Sequence, residues 1–156
     1  MGTSVHAYPL VTKSGTWSRI VPVLRRAPLI MTLVIFSLIS VRYLSNPVGA
    51  AAAVGISFTS PGGITIARVG FAAFPLSMAI LAFASLLSAQ RRLAGLYMVL
   101  TVDAVVMAVR IFGILVDHST ASAHLLAPEA VLLTLSIIAI RLEAAAQRVQ
   151  NNSAQN

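Results

Sequence analysis

The amino-acid sequence predicts an all-α integral membrane protein, a four-helix bundle with both termini on the cytoplasmic side. Only 10% of its 156 residues are charged and 58% are hydrophobic, whereas a soluble domain carries about 25% charged residues. The apolar residues form four segments, and about 20 such residues cross a bilayer. The length corresponds to one domain, so we expect a single transmembrane domain over residues 27–146.

The first predicted helix covers residues 27–44 and follows the pair Arg25 and Arg26. Residues 1–26 mix aliphatic and basic side chains, and a segment of this kind rests on anionic lipid headgroups. We therefore expect it to be cytoplasmic and associated with the membrane interface. An arginine pair before an apolar run is also found in cleaved signal sequences, so removal of this segment is an alternative.

The second predicted helix covers residues 61–89, after a stretch, 48–56, that we expect to lie at the outer interface as a short helix or coil. Ser60 is a typical N-cap and Pro61 a typical first helical residue. Pro75 predicts a kink in mid-membrane, since it lacks the N–H that the helix needs. Small residues on one face predict close packing against another helix: Gly63, Ala67, Gly70, Ser77 and Ala84.

The last two predicted helices cover residues 93–116 and 128–146. Only residues 90–92 separate the second helix from the third, so these two must form an antiparallel hairpin. The fourth helix begins at Pro128, again a first-turn proline. It is followed by a polar cytoplasmic tail over residues 147–156.

Basic residues orient the bundle, since cytoplasmic segments carry an excess of lysine and arginine. The connection between the third and fourth helices has neither residue. Basic residues lie instead in the N-terminal segment, in the connection between the second and third helices, and in the tail: Lys13, Arg19, Arg25, Arg26, Arg91, Arg92 and Arg148. Both termini are therefore predicted to be cytoplasmic.

Charged residues within the apolar segments form the candidate site. A charge at the bilayer centre costs about 2.5 to 3.5 kcal/mol on insertion scales, so it is expected to have a partner or a function. From a rise of about 1.5 Å per residue, Arg68 and Arg110 lie about 10 Å below the outer boundary. Glu129 lies nearer to that boundary. We predict a polar cluster of these three residues, with Asp117 at its rim and Asp103 deeper.

This cluster has a structural and a functional interpretation: it holds the helices in register, or it binds the anionic or polar head of a small lipophilic ligand. For two members simpler alternatives exist. Arg68 can extend to the interface, and Glu129 can complement a helix N-terminus. Asp103, near mid-bilayer, is expected to be protonated or hydrogen-bonded, or to take part in proton transfer.

Several other classes of site are not expected. The chain has no cysteine, which excludes disulfides and thiolate-ligated zinc. Its net charge of +7 forms no solvated basic face, so nucleic-acid binding is not expected. His118 and His124 flank one loop without a metal-ligand spacing, and the sequence has no hydrolase or nucleotide-binding motif. We therefore expect no metal, cofactor or catalytic residue.

Short motifs lie at the predicted helices: Asn-Pro-Val-Gly-Ala at 46–50, Ala-Arg-Val-Gly at 67–70, Val-Arg-Ile at 109–111 and Pro-Glu at 128–129. Over residues 27–142 the chain resembles, through these motifs, the bacterial family known as domain of unknown function 4345. The resemblance implies a four-helix inner-membrane protein, with Arg68, Arg110 and Glu129 at the family's recurrent polar positions. It implies no activity, and Asp103 departs from the family pattern.

From these features we expect a small, non-enzymatic protein of the bacterial inner membrane, an accessory or scaffold subunit that packs against other membrane proteins or copies of itself. One alternative is a binder or carrier of a small lipophilic or anionic ligand, with proton coupling through Asp103. Another is a membrane enzyme that acts on a lipid. The lipid bilayer is the partner common to all three.

Overall fold

The structure, a computed structural model, describes residues 17–118 and 123–153. It confirms the predicted fold class, since the described residues form helices and no strands. Four stretches are long and apolar enough to cross a membrane: Arg19–Ser45, Pro61–Leu87, Ala89–Val116 and Ala123–Ser153. The protein is therefore a multi-pass, four-helix membrane bundle. Parts of the predicted N-terminal segment, of the loop before the fourth helix and of the tail lie outside the described residues: 1–16, 119–122 and 154–156.

Helix α1 (Trp17–Ser45) begins well before the predicted start at residue 27. Pro28 lies inside this helix and is fully buried. Most helical stability in proteins comes from tertiary packing rather than from local propensity, and Pro28 is packed inside the bundle. Residues 17–26 therefore continue the first helix instead of forming a separate segment.

A short helix, α2 (Pro47–Ala52), follows the first span and overlaps the stretch 48–56 for which a short helix or coil is predicted. The Asn46 side chain accepts a hydrogen bond of 3.0 Å from the Gly49 N–H and so caps α2. Pro47 and two alanines of this helix are buried. Helix α2 therefore packs onto the bundle.

The second span consists of α3 (Pro61–Arg68), a π-helical turn (Val69–Ala73) and α4 (Phe74–Leu87). The Ser60 hydroxyl accepts a hydrogen bond of 3.3 Å from the Gly63 N–H, as an N-cap does. In the π-helical turn the Phe74 N–H donates to the Val69 carbonyl, five residues back. Pro75, which has no N–H to donate, comes directly after this pair. The wide turn thus lies where the sequence predicts a kink.

The third and fourth spans are α5 (Ala89–Val116) and α6 (Leu126–Ser153). Only Ser88, in an extended conformation, separates α4 from α5. Helix α6 continues past its predicted end at residue 146 because the following Gln and Arg residues are good helix formers. A 3-10 turn, Ala123–Leu125, precedes it.

The four spans are antiparallel, so α1 begins at the end of the bundle where α6 ends and where α4 meets α5. We call this the terminal end and the opposite end the loop end. A small apolar core joins all four spans: Leu29, Ala82, Leu96, Val99, Ala139 and Ile140. Helices α4 and α5 are in close contact at Gly95, where a Cβ atom would overlap the Ser85 side chain. Many large apolar side chains remain exposed on the outer surface, as contact with lipid requires.

Candidate functional site

A cavity of about 410 Å³ extends from the middle of the bundle towards the loop end. It lies between α1, α5 and α6, with Met78 contributed by α4. Ile35 and Val106 line it and are also exposed, so the cavity opens to the outer surface of the bundle. Its lining is apolar apart from four side chains: Thr32, Asp103, Arg110 and Glu129.

Arg110 and Glu129 form an ion pair at the loop-end side of the cavity. The Arg110 Nη2 group donates to Glu129 Oε1 over 2.6 Å, and its Nε group donates to both carboxylate oxygens over 3.0 Å. Two parallel N–H bonds to one carboxylate fix geometry as well as charge. Since Glu129 lies in the first turn of α6, the pair ties the loop-end part of the third span to the start of the fourth.

Asp103 and Thr32 lie deeper in the cavity and are only 7% and 4% exposed. The atoms Asp103 Oδ2 and Thr32 Oγ1 are buried and have no hydrogen-bond partner among the described residues. Leaving a buried polar atom unpaired costs about 1 to 3 kcal/mol. Most such atoms in folded proteins have a partner, and the two side chains that carry these unpaired atoms line the cavity.

Arg68 and Asp117 lie outside this site. Arg68 ends α3 and is exposed, and it forms no salt bridge with any described residue. Asp117 is exposed directly after α5, and its backbone N–H donates to the Gly113 carbonyl. The structure thus divides the five residues of the predicted polar cluster: Arg110 and Glu129 are in contact, Asp103 shares their cavity, and the other two lie apart.

His118 and His124 are both exposed. Within residues 17–118 and 123–153, no group of three or more histidine or acidic side chains is placed to hold a metal ion.

The small residues singled out in the second span do not share one environment. Ala67 is buried, Gly63 and Ala84 are half-buried, and Gly70 and Ser77 are exposed. The buried small side chains of the span, apart from Ala67, are Ala72, Ala79, Ala82 and Ser85.

A second polar cluster lies at the terminal end, and sequence reasoning missed it. Arg25 Nε donates to Glu143 Oε2 over 2.6 Å, and Arg92 Nη1 donates to Glu143 Oε1 over 3.2 Å. Glu143 is completely buried. This terminal-end cluster (Arg25, Arg92 and Glu143) joins α1, α5 and α6 through one carboxylate, and Gln147 adds a bond of 3.1 Å to the Ala89 carbonyl.

The signal for this cluster was present in the composition. The chain has four acidic residues, and Glu143 is the one among them that the sequence analysis left without a role. Arg25 and Arg92 were assigned to the cytoplasmic charge excess, which is correct for many arginines at helix ends but overlooks a carboxylate on a neighbouring helix at the same depth. An acid within a predicted span needs a partner, and Arg25 and Arg92 lie at the same end of the bundle as Glu143.

The fold and this cavity define a multi-pass helical membrane protein whose bundle contains an apolar cavity with a few polar side chains in its lining. Comparison with protein-family models, with curated proteins and with solved structures found no match to this chain.

Proposed function

We propose that the protein binds a small lipophilic molecule in the cavity and acts as its carrier or receptor within the membrane. The observation that carries this proposal is an open apolar cavity lined by Asp103 and Thr32, each of which has a buried polar atom without a hydrogen-bond partner among the described residues. Ligand pockets are concave and mostly apolar, with a few placed polar groups, and measure about 300 to 1,000 Å³. The cavity of about 410 Å³ has each of these properties.

The position of the cavity defines how a ligand enters. Its opening beside Ile35 and Val106 faces the lipid, where a lipophilic molecule is already concentrated. The apolar tail then occupies the cavity, and the polar head reaches Asp103. The ion pair of Arg110 and Glu129 holds the wall between α5 and α6 in place while the ligand enters and leaves.

Two tryptophan variants of the same helix test the proposal. Val106 lines the cavity, whereas Val105 is exposed and does not. The protein is purified in lipid nanodiscs, and retained small molecules are extracted and identified by mass spectrometry. We expect a stoichiometric lipophilic molecule with the wild type and with Val105→Trp, and its loss with Val106→Trp, whose indole fills the cavity. Equal retention by both variants, or retention by neither the wild type nor the control, contradicts the proposal.

The second candidate function is that of an accessory or scaffold subunit. Gly70 lies exposed on the outer surface of the second span, and a Cβ atom there would meet no other atom within 4 Å. Small residues let membrane helices approach closely, so this surface has room for a helix of another protein or of a second copy. Gly70→Leu is expected to abolish a stoichiometric co-purifying partner. If no partner co-purifies with the wild type, this candidate fails.

The location that goes with either function is the bacterial inner membrane, with both termini cytoplasmic and no enzymatic activity. The antiparallel arrangement places the start of α1 and the end of α6 at one end of the bundle, as the terminal-end cluster requires. A reporter active only in the cytoplasm, fused in turn to each terminus, is expected to be active in both fusions. Activity of only one fusion contradicts this topology.

A further inference from the structure

The charges that line the cavity specify which head group it accepts. Three ionisable side chains face it: Asp103, Arg110 and Glu129. Arg110 is bound to Glu129 through three hydrogen bonds, so these two charges neutralise each other. The carboxyl of Asp103 forms no ion pair with any described residue, so it is the one acidic group of the lining without a basic partner.

An anionic head group is disfavoured by this arrangement. Beside the ionised Asp103 carboxyl it would be repelled more strongly in this apolar surrounding than in water. The positive charge of Arg110 is already balanced by the negative charge of Glu129, 2.6 Å away, so the pair offers an anion no net attraction. The alternative in which Arg68 and Arg110 together bind an anion also fails, because Arg68 lies outside the cavity.

A head group that donates hydrogen bonds fits the unpaired atoms. Asp103 and Thr32 can each accept a hydrogen bond, and the Thr32 hydroxyl can also donate one. Asp103 Oδ2 and Thr32 Oγ1 have no hydrogen-bond partner among the described residues. Given the ligand-binding function proposed above, we infer that the cavity takes a lipophilic molecule with a hydrogen-bond-donating head, an amine or an alcohol, and rejects the corresponding carboxylate.

The remaining lining supports a flexible or irregular apolar tail. Met31, Met78 and Met98 line the cavity together with Phe36. Methionine has an unbranched, polarizable side chain that adapts to different apolar shapes. Recognition at the head, by two fixed oxygen atoms, is therefore more selective than recognition along the tail.

A matched set of photoreactive probes tests the inference. Three molecules share one decyl chain with a diazirine and differ only in the head: amine, hydroxyl or carboxylate. The full-length protein in phosphatidylcholine nanodiscs is irradiated with each probe, and labelled residues are identified by mass spectrometry. Labelling of the cavity residue Val102 is divided by labelling of the exposed residue Val109 on the same helix, which corrects for partition into lipid.

We expect this ratio to be about tenfold higher for the amine or the alcohol than for the carboxylate, as one hydrogen bond to a charged group implies. Asp103→Asn is expected to reduce the preference for the amine, and Thr32→Val to reduce labelling by the alcohol. Asp117→Asn, which removes an exposed acid of the same segment, is the matched control and should change neither.

The outcomes separate the inference from the proposed function. Equal or greater cavity labelling by the carboxylate probe overturns the inference and leaves ligand binding intact. A ratio near one for all three probes means that the cavity is not occupied, and then the proposed function fails as well. The comparison of head groups on the wild-type protein decides between these outcomes even where Asp103→Asn does not fold.

Discussion

Replacing Glu143 by glutamine is expected to destabilise the bundle more than any other single change of charge in the described residues. Glutamine keeps the shape of the side chain but removes the charge that Arg25 and Arg92 share. Removing one partner of a buried ion pair costs about 3 to 5 kcal/mol, since it leaves a buried charge uncompensated. The Arg92 side chain is only 9% exposed, whereas Arg25 is 20% exposed and can regain some hydration.

We therefore expect a loss near the lower end of this range, about 3 kcal/mol, or roughly a hundredfold change in the equilibrium constant for unfolding. The free energy of unfolding is measured by titration of micelles with a denaturing detergent, followed by circular dichroism. The neighbouring exposed Arg91 supplies the control, since Arg91→Gln should change the free energy by less than about 0.5 kcal/mol.

A double variant makes this reasoning refutable. In Glu143→Gln/Arg92→Gln the more buried of the two unpaired cations is removed as well, so we expect it to be more stable than Glu143→Gln alone. Two results would contradict this account: Glu143→Gln as stable as Arg91→Gln, or a double variant whose free energy of unfolding is lower again by about 3 kcal/mol. Either would show that the carboxylate does not compensate two buried arginines.

Three further predictions concern other parts of the bundle. Arg110→Gln breaks a half-buried ion pair and should lower the free energy of unfolding by about 1 to 3 kcal/mol, while Arg68→Gln should change it by less than about 0.5 kcal/mol; equal effects in the same titration would show that the pair is not structural. Gly95→Ala places a methyl group against Ser85 and should cost about 1 to 3 kcal/mol, part of which Ser85→Gly recovers; a neutral Gly95→Ala in thermal unfolding would contradict the close helix contact. Cysteines introduced at the exposed Ser153 and Ser57 should react with a membrane-impermeant maleimide from opposite sides of sealed vesicles, and labelling of both from one side would contradict four crossings.

The fold was largely predictable from the sequence because lipid imposes a length and an apolarity on each crossing. Four apolar runs predict four spans, among them the span that begins at Pro61 and the span that contains Gly95. The structure confirms all four. Helix ends were less predictable. The first helix begins at Trp17 and not at residue 27, since a charged pair ends an apolar run without ending a helix.

The candidate site was predictable only in part, and the reason is geometric. Helical rise gives the depth of a residue, which is why Arg110 and Glu129 could be matched in advance. It does not give the direction in which a side chain points across the bundle. Arg68 lies at a similar predicted depth but on the exposed surface, and Thr32, which carries no charge, gave no signal that it would face the same cavity as Asp103.

The π-helical turn Val69–Ala73 has a consequence for everything that follows it in the second span. One inserted residue rotates the rest of a helix by about 100°, so a seven-residue spacing that runs through the turn no longer marks a single stripe. Met78, which lines the cavity, lies after the turn. Deleting one residue of the turn would rotate the whole of α4 by about 100° relative to α3 and so change which of its side chains face the cavity.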